Sequence, residues 1–201
     1  LTKLRQICID PNVAYENYKG EAIKIDKVTE MVHDFVEEKH KILIFSSFKS
    51  IINIVKEKFD KEGIKSYVIN GDVSGKKRTE LVTKFNDDDT DCFLITLKSG
   101  GVGLNLTGAD IVIHLDIWWN PQAENQATDR AHRIGQTKNV TVIRLITKGT
   151  IEERILELQN KKKIISDNLI EGKNNSKTIS KLTEEEVKEL LSLGHEEEIY
   201  S

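Results

Sequence analysis

Cys92–Leu115 reads CFLITLKSGGVGLNLTGADIVIHL. Two short apolar runs, CFLIT and IVIHL, flank a glycine-rich segment. Each run is too short for a helix and carries no polar alternation, so each predicts a strand buried on both faces. In the segment between them, Gly100, Gly101 and Gly103 permit positive φ and let the backbone approach a ligand closely. Consecutive N–H groups in such a loop form an anion-binding nest. A glycine-rich loop alone is equally consistent with a plain turn. Its position after a parallel strand adds weight, because open α/β sheets bind ligands at that end.

The same alternation extends in both directions. Toward the N-terminus, KILIFSS (41–47) and SYVIN (66–70) read as strands. Helical periodicity places helices over about 24–39, 49–62 and 76–85, with Gly63 closing the second. Residues 1–9 read as a short helix ended by Asp10-Pro11, and 12–23 as a loop. Toward the C-terminus, residues 121–134 read as a helix and VTVIRLI (140–146) as a further buried strand. Strands alternating with helices of this length predict an α/β fold, a parallel sheet with helices on both faces. Apolar positions from Ile151 to Leu169 predict a long helix. A polar linker follows, and then a last helix with Thr183 as N-cap and Glu186 as its capping-box partner. The tail HEEEIYS is expected to be disordered. The expected units are 1–23, an N-terminal helix and linker; 24–150, the α/β lobe; 151–172, a brace helix; 173–182, the linker; and 183–201, the terminal helix and tail.

Net charge is −3, so there is no global basic signature. Residues 1–150 hold 22 Lys/Arg against 21 Asp/Glu, and 151–201 hold 8 against 12. Any nucleic-acid site must therefore be a local patch. Two cysteines, Cys8 and Cys92, suit a reducing compartment and no disulfide framework. No stretch is apolar enough to span a membrane. The chain begins at Leu1 rather than Met, as a piece of a longer protein would.

Charged residues concentrate in a few places. Asn120 and Pro121 suit the N-cap and first position of the helix that carries QATDRAHRIGQ (126–136), and Gly135 suits its end. On that helix Gln126, Arg130 and Arg133 share one face at i, i+4 and i+7. Two guanidiniums a turn apart repel each other unless an anion joins them, and Arg matches phosphate oxygens bidentately. The plainer reading pairs Asp129 with Arg133 and leaves Arg130 as solvated surface. Ser46 and Ser47 could donate to a phosphate, or Ser47 could simply cap the next helix. Lys76, Lys77 and Arg78 start a helix, where three positive charges oppose its dipole. An external phosphate backbone explains them, although Lys77 could be only a solvated charge. Trp119 is expected to pack the turn before the arginine helix.

These strings resemble a known family. QATDRAHRIGQ resembles motif VI of superfamily two helicases, in the DRAHRIGQ form of Swi/Snf-type DNA-dependent ATPases, and WWNP (118–121) is characteristic of them. LKSGGVGLNLTGAD (97–110) resembles motif V, and IFSSF (44–48) motif IV. Asn70-Gly71-Asp72 with Lys76 and Arg78 resembles the DNA-facing motif between them. The resemblance covers roughly 40–150, and RQICIDP and IEERI also fit. It implies a second, RecA-like lobe with a C-terminal helical brace, closest to bacterial or archaeal stand-alone members.

The resemblance further implies roles. Arg130 and Arg133 would be arginine fingers for the ATP site. Gly103, Asn105, Gln126 and Asp129 would line the ATP cleft. Ser46, Ser47, Gly71, Lys76, Arg78, Lys98, Ser99 and Gly100 would face the DNA; Lys98 stands where eukaryotic relatives carry Arg. No GxxxxGK[ST] is present: GDVSGKK (71–77) is one residue short and ends in Lys. There is no DExx string either. The nucleotide cradle and the Mg²⁺ ligands are therefore expected on a preceding N-terminal RecA-like lobe, with no metal site here and no ATPase activity in this chain alone. The implied parent hydrolyses ATP with Mg²⁺ on double-stranded DNA and translocates along it, with a protein substrate on the DNA as a further possible partner. It would be nucleoid-associated in the cytoplasm of a prokaryote, or nuclear in a eukaryote. Two other readings stay open: a lobe of a strand-separating DNA or RNA helicase, and a non-catalytic interaction module.

Overall fold

On strand β1 (Ile42–Ser46), Ile42 and Ile44 face one apolar cluster and Leu43 and Phe45 face another, and all four are buried. The same division holds on β3 (Cys92–Thr96), where Cys92 and Leu94 oppose Phe93 and Ile95, and on β4 (Ile111–His114). Side chains alternate across a strand, so an unbroken apolar run needs cover on both faces. Helices α2 (Ile23–Glu37) and α3 (Lys49–Lys61) supply it on one face through Val28, Val32, Ile51, Val55 and Phe59. Helices α4 (Gly75–Asp87) and α6 (Pro121–Thr128) supply it on the other through Phe85 and Ala127. This computed structural model describes residues 1–192 except 16, 19, 101–102, 133–135 and 170–181, with backbone alone at 100 and 163–169.

The sheet has five strands, all parallel, in the order β2-β3-β1-β4-β5, with β2 at Ser66–Ile69 and β5 at Thr141–Arg144. Central strands pair in step: Ser46 lies beside Thr96, and Phe45 beside His114. Their C-terminal ends therefore share one edge. Gly63 follows α3 at φ +75°, a left-handed position that suits glycine. The expectation of a buried strand at 140–146 is corrected. β5 is an edge strand, and Thr141, Val142 and Arg144 are exposed because cover thins at the sheet margin.

Helix α1 (Thr2–Ile9) packs into the lobe through Ile9, which joins the core cluster of α2 and α3. Helix α7 (Ile151–Leu169) is the expected brace. Ile151, Ile155 and Leu158 are buried against Ile117 and Leu190, each contributing about 2 kcal/mol. Lys24 of α2 fixes the start of α7. Its Nζ donates to Glu152 Oε2 at 2.5 Å, to the Leu115 carbonyl at 3.1 Å and to the Leu145 carbonyl at 3.0 Å. Helix α8 (Glu184–Leu191) begins with the predicted capping box of Thr183 and Glu186 and packs on α7, where Lys162 pairs with Glu186 at 2.9 Å. The expected disordered tail and nearly all of the linker lie outside the described residues.

Candidate functional site

Four of the sequence motifs leave the sheet at the shared C-terminal edge. After β1, the Ser46 hydroxyl donates to Asp116 Oδ1 at 2.7 Å and accepts the Phe48 N–H at 3.1 Å. Ser46 is fully buried, so its side chain serves the lobe and is not turned toward an external phosphate. Ser47 does not cap α3. The N-cap is Phe48, without a side-chain bond, while the Ser47 hydroxyl accepts from Arg5 at 2.9 Å and its N–H donates to Asp116 at 2.8 Å.

After β2, Gly71 and Lys76 are exposed. Lys77 pairs with Glu80 at 2.9 Å, in keeping with a solvated charge. Arg78 folds back: Nε donates to the Val73 carbonyl at 2.8 Å and a terminal nitrogen to that of Asn70 at 3.0 Å. Arg78 thus shapes the loop that presents Gly71.

After β3 the glycine-rich segment starts as one helical turn, α5 (Leu97–Gly100), where a loop was expected. Lys98 projects to solvent, whereas Ser99 is buried and accepts from the Thr96 hydroxyl at 2.8 Å. Of the three glycines that permit positive φ, Gly103 adopts it at +39°, Gly100 ends α5, and Gly101 lies outside the described residues. Asn105 is exposed, and its carbonyl accepts from Asn86 of α4 at 2.9 Å.

The arginine segment departs from its expected geometry. Asn120 caps α6 as predicted, its side chain accepting the Gln122 N–H at 3.0 Å, and Pro121 is the first helical residue. The helix, however, ends at Thr128 and not at 134. The chain tightens there, with Arg130 N–H donating to the Ala127 carbonyl at 3.1 Å and Ala131 N–H to that of Thr128 at 3.0 Å; Leu106 N–H takes the Arg130 carbonyl at 3.0 Å, and Gln136 Nε2 reaches that of Ala131 at 3.3 Å. Ala131 is drawn into the core. Gln126 and Asp129 are therefore exposed on and just beyond α6, while Arg130 is buried in the following turn. The predicted common face of Gln126 and Arg130 does not form. Arg133 and Gly135, with any pairing of Asp129 to Arg133, lie outside the described residues.

Gln136 was not singled out in the sequence. Its Nε2 also donates to the Thr107 carbonyl at 3.2 Å and that of Ala109 at 2.7 Å, so it clamps the end of the glycine-rich segment to the arginine turn. Glu124 was missed as well. Its Oε1 accepts the Trp118 N–H at 2.6 Å, and Oε2 meets Arg144 at 3.3 Å. Burial raises its pKa, and the Trp118 N–H and Arg144 offset part of that rise. Gln159 of the brace donates to the Trp118 carbonyl. Trp118 and Trp119 stack at 3.6 Å, and Trp119 packs against the brace cluster.

His114, at the end of β4, is buried, stacks on Phe45 and meets Thr128 of α6 at 3.2 Å. Burial, aided by Arg144, lowers its pKa to about 4. The ring is therefore neutral in the folded state at neutral pH. Below pH 6.5 the unfolded chain takes up the proton and the folded one does not, so stability falls as pH drops toward 4, by about 3 kcal/mol in all. Urea titrations across that range should show this loss, and His114→Asn should flatten it; an equal slope in the variant would contradict the assignment.

Residues 23–135 match the helicase conserved C-terminal domain. The chain belongs to this family. The helicase lobe is 43% identical to an uncharacterized ATP-dependent helicase of Mycoplasma pneumoniae over 87% of the chain. It is 32% identical to the CHD3-type chromatin-remodeling factor CHR7 of Arabidopsis thaliana over 98% of the chain. It spans 17% of the length of each of these relatives. In structure it resembles the C-terminal part of the Fun30 ATPase domain, with a TM-score of 0.67 and 35% identity, covering 79% of this chain and 54% of that one. The lobe is thus a RecA-like C-terminal lobe of the Swi/Snf type.

Proposed function

We propose that the lobe is the C-terminal motor half of an ATP-dependent translocase on double-stranded DNA. The observation that carries this reading is the common edge. Ser47, Gly71, Lys98 and the Asn120–Arg130 segment all emerge there, which supports assigning the neighbouring segments to a DNA track and to a wall of the ATP cleft.

In this reading Arg130 and Arg133 supply guanidiniums to the γ-phosphate, where they stabilise charge on the transferring phosphoryl group. Bound ATP contributes the phosphoanhydride whose hydrolysis drives lobe closure and opening. Gln126, Asp129, Gly103 and Asn105 line the cleft, and the Leu106–Arg130 and Gln136 hydrogen bonds link that wall to the glycine-rich segment. Exposed Lys98 and Lys76, with Gly71 and the backbone of α5, follow the phosphates. Ser46, Ser99 and Arg78 support that track from within. The lobe alone, without a nucleotide cradle, turns over no ATP.

Phosphate contacts are sequence-independent and release counterions. Lys98→Ala or Lys76→Ala in the full-length protein should weaken duplex binding for all sequences alike. Each should also flatten the slope of log K against log[salt] by about 0.9. An unchanged slope would take that lysine off the track.

A further inference from the structure

Arg5 heads the fully buried side chains by volume, and its guanidinium is bound by two segments of the functional edge. Nε donates to the Ile117 carbonyl at 3.1 Å. A terminal nitrogen donates to Asp116 Oδ2 at 2.5 Å and to the Ser47 hydroxyl at 2.9 Å. The guanidinium lies over the rings of Trp118 at 4.5 Å, Phe48 at 5.0 Å and Trp119 at 5.6 Å. Asp116 completes the node: its other oxygen accepts the Ser46 hydroxyl and the Ser47 N–H. One ion pair thereby joins α1, the segment after β1 and the segment after β4.

Stability alone is a weak reason for such a pair. Desolvation of two charges can exceed their mutual attraction, and well-packed apolar replacements are often as stable. Burial lowers the Arg5 pKa, although Asp116 and Glu152 counter it. What an apolar cluster cannot supply is direction. The planar fork fixes where residues 46–48 lie relative to 116–119, and 116–119 lead straight into the Asn120 cap of α6.

We propose that Arg5 and Asp116 are positioning residues that set the DNA-facing segment after β1 in register with the ATP-facing segment at α6, and so couple duplex binding to turnover. This rests on the motor reading above. The pair touches neither nucleotide nor DNA. Its loss therefore affects duplex-stimulated kcat and not ATP binding or the DNA-free rate.

The test uses the full-length protein with Arg5→Lys and with Asp116→Asn. Each variant should melt cooperatively. ATP KM and DNA-free turnover should stay within about twofold of the parent. Duplex-stimulated kcat should fall by on the order of 10- to 10²-fold, the cost of a misplaced site. Lysine should not restore it, because a point charge cannot hold the Ile117 carbonyl and Asp116 together. Hydrogen exchange reads the positioning without any activity: amides of 46–48 and 116–120 should exchange faster in Arg5→Lys while those of β3 keep their protection. Normal stimulated kcat or unaltered exchange in a folded variant overturns the proposal. Loss of cooperative melting in both variants assigns the pair to stability alone and overturns it equally. A parent that duplex DNA does not stimulate counts against the motor reading instead, and the exchange result then decides the positioning role by itself.

Discussion

Arg133→Ala in the full-length protein is expected to lower DNA-stimulated ATP turnover by a factor on the order of 10³ or more, the range of a lost arginine finger. ATP binding should stay nearly intact, because the preceding lobe would hold the ground state. Arg133→Lys should not rescue turnover, since an ammonium lacks the planar fork. If Arg133 merely paired with Asp129, the loss would be a stability change under about 1 kcal/mol and turnover by folded enzyme would be near normal. Measuring turnover and melting temperature on one preparation separates the two. Arg130 is expected to behave differently. It is buried in the turn after α6, so Arg130→Ala should lower the melting temperature along with turnover.

The second large effect is expected at the root of the brace. Lys24→Met leaves the Glu152 carboxylate buried with the Thr147 N–H, at 2.8 Å, but without its counter-ion. Removing one member of a buried pair costs about 3–5 kcal/mol. For a chain of this size that corresponds to a fall in melting temperature of about 10 °C. Because the penalty is the stranded charge, Lys24→Met combined with Glu152→Leu should recover most of it. Thermal melts of the two single variants and the double decide the matter. A double variant as unstable as Lys24→Met would show instead that the geometry, and not the charge, holds α7 in place.

Local chemistry made much of this fold legible. The runs ILIFS and CFLIT are apolar at every position but the last, which requires a sheet covered on both faces. Gly63, the Asn120-Pro121 start and the Thr183–Glu186 box are short-range signals that act within a few residues. What was not legible depends on partners distant in sequence. Beyond the end of α6, Leu106 captures the Arg130 carbonyl, which an isolated segment could have kept in its own ladder. The exposure of β5 follows from its place at the margin, which strand composition does not encode. Ser46 and Ser99 look like phosphate donors in one dimension, yet both point inward. Asp116 carries the single charge in an apolar setting, HLDIWW (114–119), and Arg5 precedes the apolar ICI (7–9). That pattern was the available signal for a buried pair, but it could not say that the two meet across 111 residues.

In the proposed function, duplex DNA drives the motor to which this lobe belongs. The most direct measurement is steady-state ATP hydrolysis by the full-length protein with duplex DNA, single-stranded DNA or RNA at equal nucleotide concentration. Strong stimulation by duplex DNA of any sequence is expected, weakening as salt rises. Stimulation by single-stranded DNA or RNA in preference to duplex, or turnover indifferent to all three, would contradict it.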